Sequence, residues 1–139
     1  MLISPTAETS DSPPAAQQAW LNLNAFTATL LQFGHDIPVF QELSLFGLWT
    51  IRTALEEQEQ TDRVALDAAA LWFVHASPAL RDLCQQGKTF DGKVAKPGFV
   101  FKDESWRGFS MDRWQAWEKR LREVSDGALV EKAADAMSG

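Results

Sequence analysis

Few residues in this chain combine a reactive type with a suggestive spacing. Arg52 and Glu56 stand i,i+4 at the tail of a strongly apolar segment, which stacks them one turn apart on one helical face. A pair placed there either holds helix register as a partly buried ion pair, which is the expectation, or forms the polar floor of an apolar pocket. His75 follows Trp72-Phe73-Val74 at the end of an apolar helix. It is a residue type suited to acid–base work, but needs a carboxylate within hydrogen-bond reach, and its neighbours in sequence provide none. Asn24, like Asn22, interrupts an apolar stretch and must find partners there. Structural hydrogen bonding is the expected role and ligand contact the alternative. If the chain is a catalyst, the candidates are Arg52, Glu56 and His75.

Other chemistries find little support. His35 and His75 lie in different elements and share no metal-ligand spacing. Cys84 is the only cysteine, so a Cys-based zinc site and an internal disulfide both lack partners. Ser44, Ser77 and Cys84 sit in no nucleophile motif, and no Gly-rich phosphate loop occurs. Neither a metal nor a cofactor is expected. With 13 basic against 19 acidic residues the net charge is -6, the wrong sign for nucleic-acid binding. No Lys or Arg precedes Arg52, and the first fourteen residues carry Glu8 and Asp11 where a targeting signal carries positive charge, so a cytoplasmic location is expected. The charge-free stretch from Ser12 to His35 contains Gln17, Gln18, Asn22, Asn24 and Gln32, which argue against a membrane span.

The elements that must position these residues read as helices. Residues 1–14 are expected to be a disordered tail and 15–139 a single helical domain. A first helix runs from about Ala15 to Gln32. The segment Val39 to Glu59, uncharged from Leu43 to Ile51, predicts a central helix buried all round. A third helix spans Arg63 to Ala76, capped by Thr61 or Asp62, and Pro78 starts a short fourth that Gly87 ends. Ser110 caps a fifth, with Met111, Trp114, Trp117, Leu121 and Val124 inward and Asp112, Arg113, Glu118, Lys119, Arg120 and Arg122 towards water. Asp126 caps a last helix, Gly127 to Met137. Between them Gly87 to Gly108 is a long loop, with Phe99 to Phe101 as a short extended piece. Its length, its glycines and its anchors Phe99, Phe101 and Trp106 predict a lid. The fold class expected is all-α, a single-domain bundle of about five or six helices around a buried central helix.

Several pieces together resemble a known family. They are Trp20 with Leu23-Asn24-Ala25-Phe26, Leu48-Trp49 with Arg52 and Ala54-Leu55-Glu56, Ala69-Ala70 before Trp72, and Phe109-Ser110 with Arg113-Trp114 and Trp117. The family is an uncharacterised all-helical one of filamentous fungi, a domain of unknown function, and the resemblance runs from about Trp20 to Met137. The chain departs from it by lacking a proline in the Ala-rich segment before Trp72 and by a compact build between Gln58 and Asp67. The resemblance implies a small helical cytosolic protein and carries no activity or catalytic residue.

Six Trp and nine Phe without a Tyr remain to be explained. Core packing accounts for most of them. The functional expectation is that some line an apolar cavity in which a small hydrophobic metabolite is bound, and transformed, if at all, without a cofactor. Its expected ligand-binding residues are Asn24, Trp49, Arg52, Glu56, Trp72, His75 and Trp106. The alternative is an adaptor that docks another protein through a helical face or through the loop bearing Lys88, Lys93, Lys96 and Lys102. An enclosed cavity touching Arg52 and Trp49 favours the ligand; a solid core with an exposed apolar patch favours the adaptor.

Overall fold

Caps read from the sequence, Asp62, Gly87 and Ser110, set three of the helix ends. In the computed structural model, which describes residues 8–34, 36–38, 42–57, 59, 61–124 and 127–138, these residues form five α-helices and no strand. Residues 1–7 of the expected tail, His35, the start of the expected central helix at 39–41, and Asp126 lie outside the described residues.

Helix α1 is Pro14–Phe33, with its proline in the first turn, where a missing N–H costs nothing. Helix α2 is Leu43–Leu55, shorter at its C-terminus than the expected Glu59. Helix α3 is Arg63–Gln86, and the Asp62 carboxylate caps it by accepting from the N–H groups of Val64 and Ala65 at 3.0 and 3.1 Å. The two helices expected on either side of Pro78 are one element, kinked at Ala76, whose φ of -137° and ψ of 19° take up the distortion. The proline leaves neighbouring backbone groups to find other partners, and the Ala79 N–H donates to the Gln32 side chain at 2.9 Å. Gly87, at φ 67°, ends α3 in the left-handed conformation. Helix α4 is Met111–Glu123, capped as expected by Ser110, which accepts from the Arg113 N–H at 3.2 Å. Helix α5 is Ala128–Ser138. Phe99–Phe101 is a 3-10 turn rather than an extended piece, as is Lys93–Ala95.

The hub of the bundle is α3, not α2: α1, α2, α4 and α5 all pack on it. The Ala68-Ala69-Ala70 run on α3 is wholly buried and lets neighbours approach closely. Gly47 has the matching role on α2, since a Cβ there would lie 2.7 Å from the Trp72 ring. Leu31, Leu48, Ile51, Leu55, Phe73, Leu80, Trp117, Leu121 and Val130 complete a solid core. Helix α2 is not buried all round, because Leu45 is exposed and Arg52 half-buried on its outer side. Among the described residues no helix is long and apolar enough to cross a membrane, and no cluster of His, Cys, Asp and Glu could hold a metal.

Candidate functional site

Glu56 is the first residue beyond α2 and is fully buried. Its Oε1 accepts from the Gly98 N–H at 2.9 Å and from Arg113 Nη2 at 2.8 Å. Its Oε2 accepts from Arg113 Nε at 2.8 Å and from the Trp117 indole N–H at 2.6 Å. Arg113, also fully buried, spends its other guanidinium donors on the carbonyls of Ala95 at 2.7 Å, Gly108 at 3.0 Å and Lys96 at 3.0 Å. The guanidinium also lies over the rings of Trp106 and Trp117, 5.4 and 5.6 Å from their centroids. This is a bidentate pair with every remaining donor satisfied, the condition under which a buried ion pair is tolerated.

The expected Arg52–Glu56 pair does not form. It assumed a helix continuing past residue 56; α2 stops at Leu55, Glu56 turns inward to Arg113, and Arg52 stays at the half-exposed edge. There Arg52 pairs with Glu57 and donates to the carbonyls of Lys96 at 2.8 Å and Pro97 at 3.4 Å. Arg113, expected to face water, is instead the innermost charge of α4. The signal was its position four residues before Trp117, on the same helical face.

Both arginines thus clasp the loop at residues 95–98, and Glu56 fastens it through its carboxylate, at the Gly98 N–H, and through its backbone carbonyl, which accepts from the Val100 N–H at 2.8 Å. Gly98 is required because a Cβ there would come within 2.6 Å of the Glu56 carbonyl oxygen. Trp106 packs against Phe101 at 5.2 Å between centroids and covers the clasp, not a pocket walled by Trp49 or Trp72.

Asn24 is fully buried and also committed. Its Nδ2 donates to the Trp20 carbonyl at 2.9 Å, while its Oδ1 accepts from Thr50 at 3.1 Å and from the Trp72 indole at 2.8 Å, tying α1, α2 and α3 together. His75 is exposed on α3. The seven expected site residues therefore separate into a clasp (Arg52, Glu56, Trp106), a hydrogen-bonded node (Asn24, Trp72), a surface histidine, and Trp49. Cys84 is buried, which pushes its thiol up to about 12 despite a backbone hydrogen bond from Ser110 and the charge of Arg113.

Trp49 borders a cleft that the other six do not line, about 400 Å³ in volume, open to solvent, at the junction of α1, α2 and the start of α3. Its apolar surface comes from Trp20, Trp49, Ala65 and Ala68, with hydroxyls from Thr50, Thr53 and Thr61. Trp20 and Trp49 meet edge to face, 6.0 Å apart at 83°, and Phe46 stacks behind Trp49 at 5.8 Å, so both indoles are held in place. The rim is acidic, with Glu8, Glu57 and Asp62. Burial pushes the Asp62 carboxyl up, but hydrogen bonds from Ser10, Ala65 and Val64 outweigh it and hold the group below its usual 3.8. The Thr61 hydroxyl oxygen is buried without a hydrogen-bond partner among the described residues. Trp20 and Asp62 were legible only as core and cap; nothing in their spacing announced a shared cleft. A second cleft, bordered by Ser77, Arg81 and Trp114, is more polar.

These elements define an all-α bundle closed by a buried carboxylate–guanidinium clasp, with an aromatic groove between its first three helices. The chain belongs to the family described as Protein of unknown function (DUF3632), which matches residues 3–121. The match takes in α1 to α3 and α4 as far as Leu121, and leaves α5 outside, short of the Met137 to which the resemblance was read. No curated protein and no solved structure matches the chain.

Proposed function

We propose that the protein binds a small apolar molecule, neutral or positively charged, in the groove beside Trp49, and that it does not transform it. The observation that carries this reading is the groove itself: about 400 Å³, walled by two fixed indoles over Ala65 and Ala68, with threonine hydroxyls inside and carboxylates at the rim. That volume and lining fall within the range of small-molecule sites, about 300–1,000 Å³. The groove touches Glu57, the ion partner of Arg52, rather than Arg52 itself, and is open rather than enclosed. Its acidic rim disfavours a carboxylate or sulfonate, since like charges a few ångströms apart repel by about 1–4 kcal/mol near a protein surface. Catalysis loses its support because Glu56 is committed to buried hydrogen bonds, Arg52 to Glu57 and the Lys96 carbonyl, and His75 stands apart. The resemblance adds a setting, the cytoplasm of a filamentous fungus. The adaptor alternative draws on a different observation, the exposed apolar row on α1.

The test is a fluorescence titration with N-phenyl-1-naphthylamine and its sulfonated analogue, 8-anilino-1-naphthalenesulfonate. The neutral probe is expected to bind, the sulfonate about tenfold or more weakly. Ala65→Phe, at a half-buried position, fills the groove and abolishes binding while the thermal unfolding curve stays in place. Equal binding of both probes that Ala65→Phe leaves unchanged, or no binding of either, overturns the reading.

A further inference from the structure

Helix α1 is apolar on two sides. Its inner side, Trp20, Asn24, Thr27, Ala28 and Leu31, is buried. A second row, Leu23, Phe26, Leu30 and Phe33, follows the 3,4,3 spacing of one helical face and points outward. Leu23 is 39% exposed, Phe26 64% and Phe33 90%, and Leu30 is half-buried between them. Single exposed apolar residues are ordinary on any protein surface; four in line over about 15 Å of helix are not scattered.

Charge indicates what covers the row. The chain carries a net charge of -6, yet no Asp, Glu, Lys or Arg occurs between Ser12 and His35. Two copies repel wherever their charged faces meet, and least across α1. There an isologous contact sets one uncharged face on itself and takes no ionised group out of water. A basic partner attracted by the acidic surface finds nothing on α1 to read. We infer that a second copy of this chain docks there, α1 against α1 about a two-fold axis, with Phe26, Leu30 and Phe33 interdigitating and the exposed Asn22 and Thr29 beside them. A helix face of this length presents on the order of 300–400 Å² per copy, well below the roughly 800 Å² of a tight complex. The dimer is therefore weak and depends on concentration.

Sedimentation equilibrium of the whole chain, from about 1 µM to about 1 mM, tests this. The mass is expected to rise towards twice that of the chain, with a midpoint weaker than about 1 µM, the loose end of interfaces of about 1,600 Å². Phe26→Glu and Phe33→Glu, each at an exposed position and each checked for unchanged circular dichroism, weaken association at least tenfold. Leu45→Glu, an exposed apolar residue off the row, leaves it unchanged. A monomer throughout the range, or a dimer indifferent to both α1 variants, overturns the inference. So does a monomer that sediments with phosphatidylcholine vesicles through the same two phenylalanines, which would make the partner a membrane surface.

Discussion

A carboxylate surrounded by four N–H donors has no lone pair left for a substrate, and a guanidinium with all its donors engaged has none to offer one. Glu56 and Arg113 are in that condition, so their role is to hold chain segments that are far apart in sequence. Such a pair contributes little beyond what well-packed apolar residues would, but breaking it strands a buried charge. Glu56→Gln leaves the Arg113 cation without its counter-charge and is expected to lower unfolding free energy by about 3–5 kcal/mol in urea denaturation. Arg113→Met alone should cost a similar amount, and combined with Glu56→Gln the loss should fall short of the sum by at least about 1 kcal/mol. Arg52→Met, at the half-exposed edge, is expected to cost about 1 kcal/mol or less. A Glu56→Gln protein as stable as the parent would show that the clasp does not hold the fold.

At the scale of elements, the loop from Gly87 to Gly108 changes meaning. Its length and aromatic content read as a lid, but its middle is bolted to the end of α2 and the first turn of α4 through Glu56, Arg52 and Arg113. Hydrogen-exchange mass spectrometry should find the segment around Gly98 to Val100 protected, and unchanged by saturating N-phenyl-1-naphthylamine. In Glu56→Gln the same segment should exchange faster. Slowed exchange across the loop on adding the probe to the parent protein would restore the lid. The contrast with the helix ends is instructive. Asp62, Ser110 and Gly87 were legible because caps act over a few residues, and local chemistry is what a sequence displays. The partnership of Glu56 with Arg113 spans fifty-seven residues, and no spacing rule reaches so far; the i,i+4 rule offered Arg52 instead. Pro78 was read as a helix break because a proline removes a bond from the ladder, and only the packed surroundings show that Ala76 absorbs the distortion within one helix. The hub was assigned to the most apolar segment, whereas α3 earns its place through small alanines that let four helices approach.

For the whole molecule, the clasp and node close the interior, and the two surface features proposed to serve function are the groove among α1, α2 and α3 and the outer row of α1. The six tryptophans make a map of this division, because they are spread over its distinct parts. Trp20 and Trp49 wall the groove, Trp72 bonds Asn24, Trp106 and Trp117 flank Arg113, and Trp114 borders the second cleft. A single nitrogen–proton correlation spectrum of the ¹⁵N-labelled protein, with its indole signals assigned by one Trp→Phe substitution at a time, therefore reports where a ligand goes. On titration with N-phenyl-1-naphthylamine the indole signals of Trp20 and Trp49 should move first and furthest, while those of Trp72, Trp106, Trp114 and Trp117 hold their positions. Movement led by Trp106 and Trp117, with Trp20 and Trp49 unmoved, would place the ligand at the clasp and contradict the account.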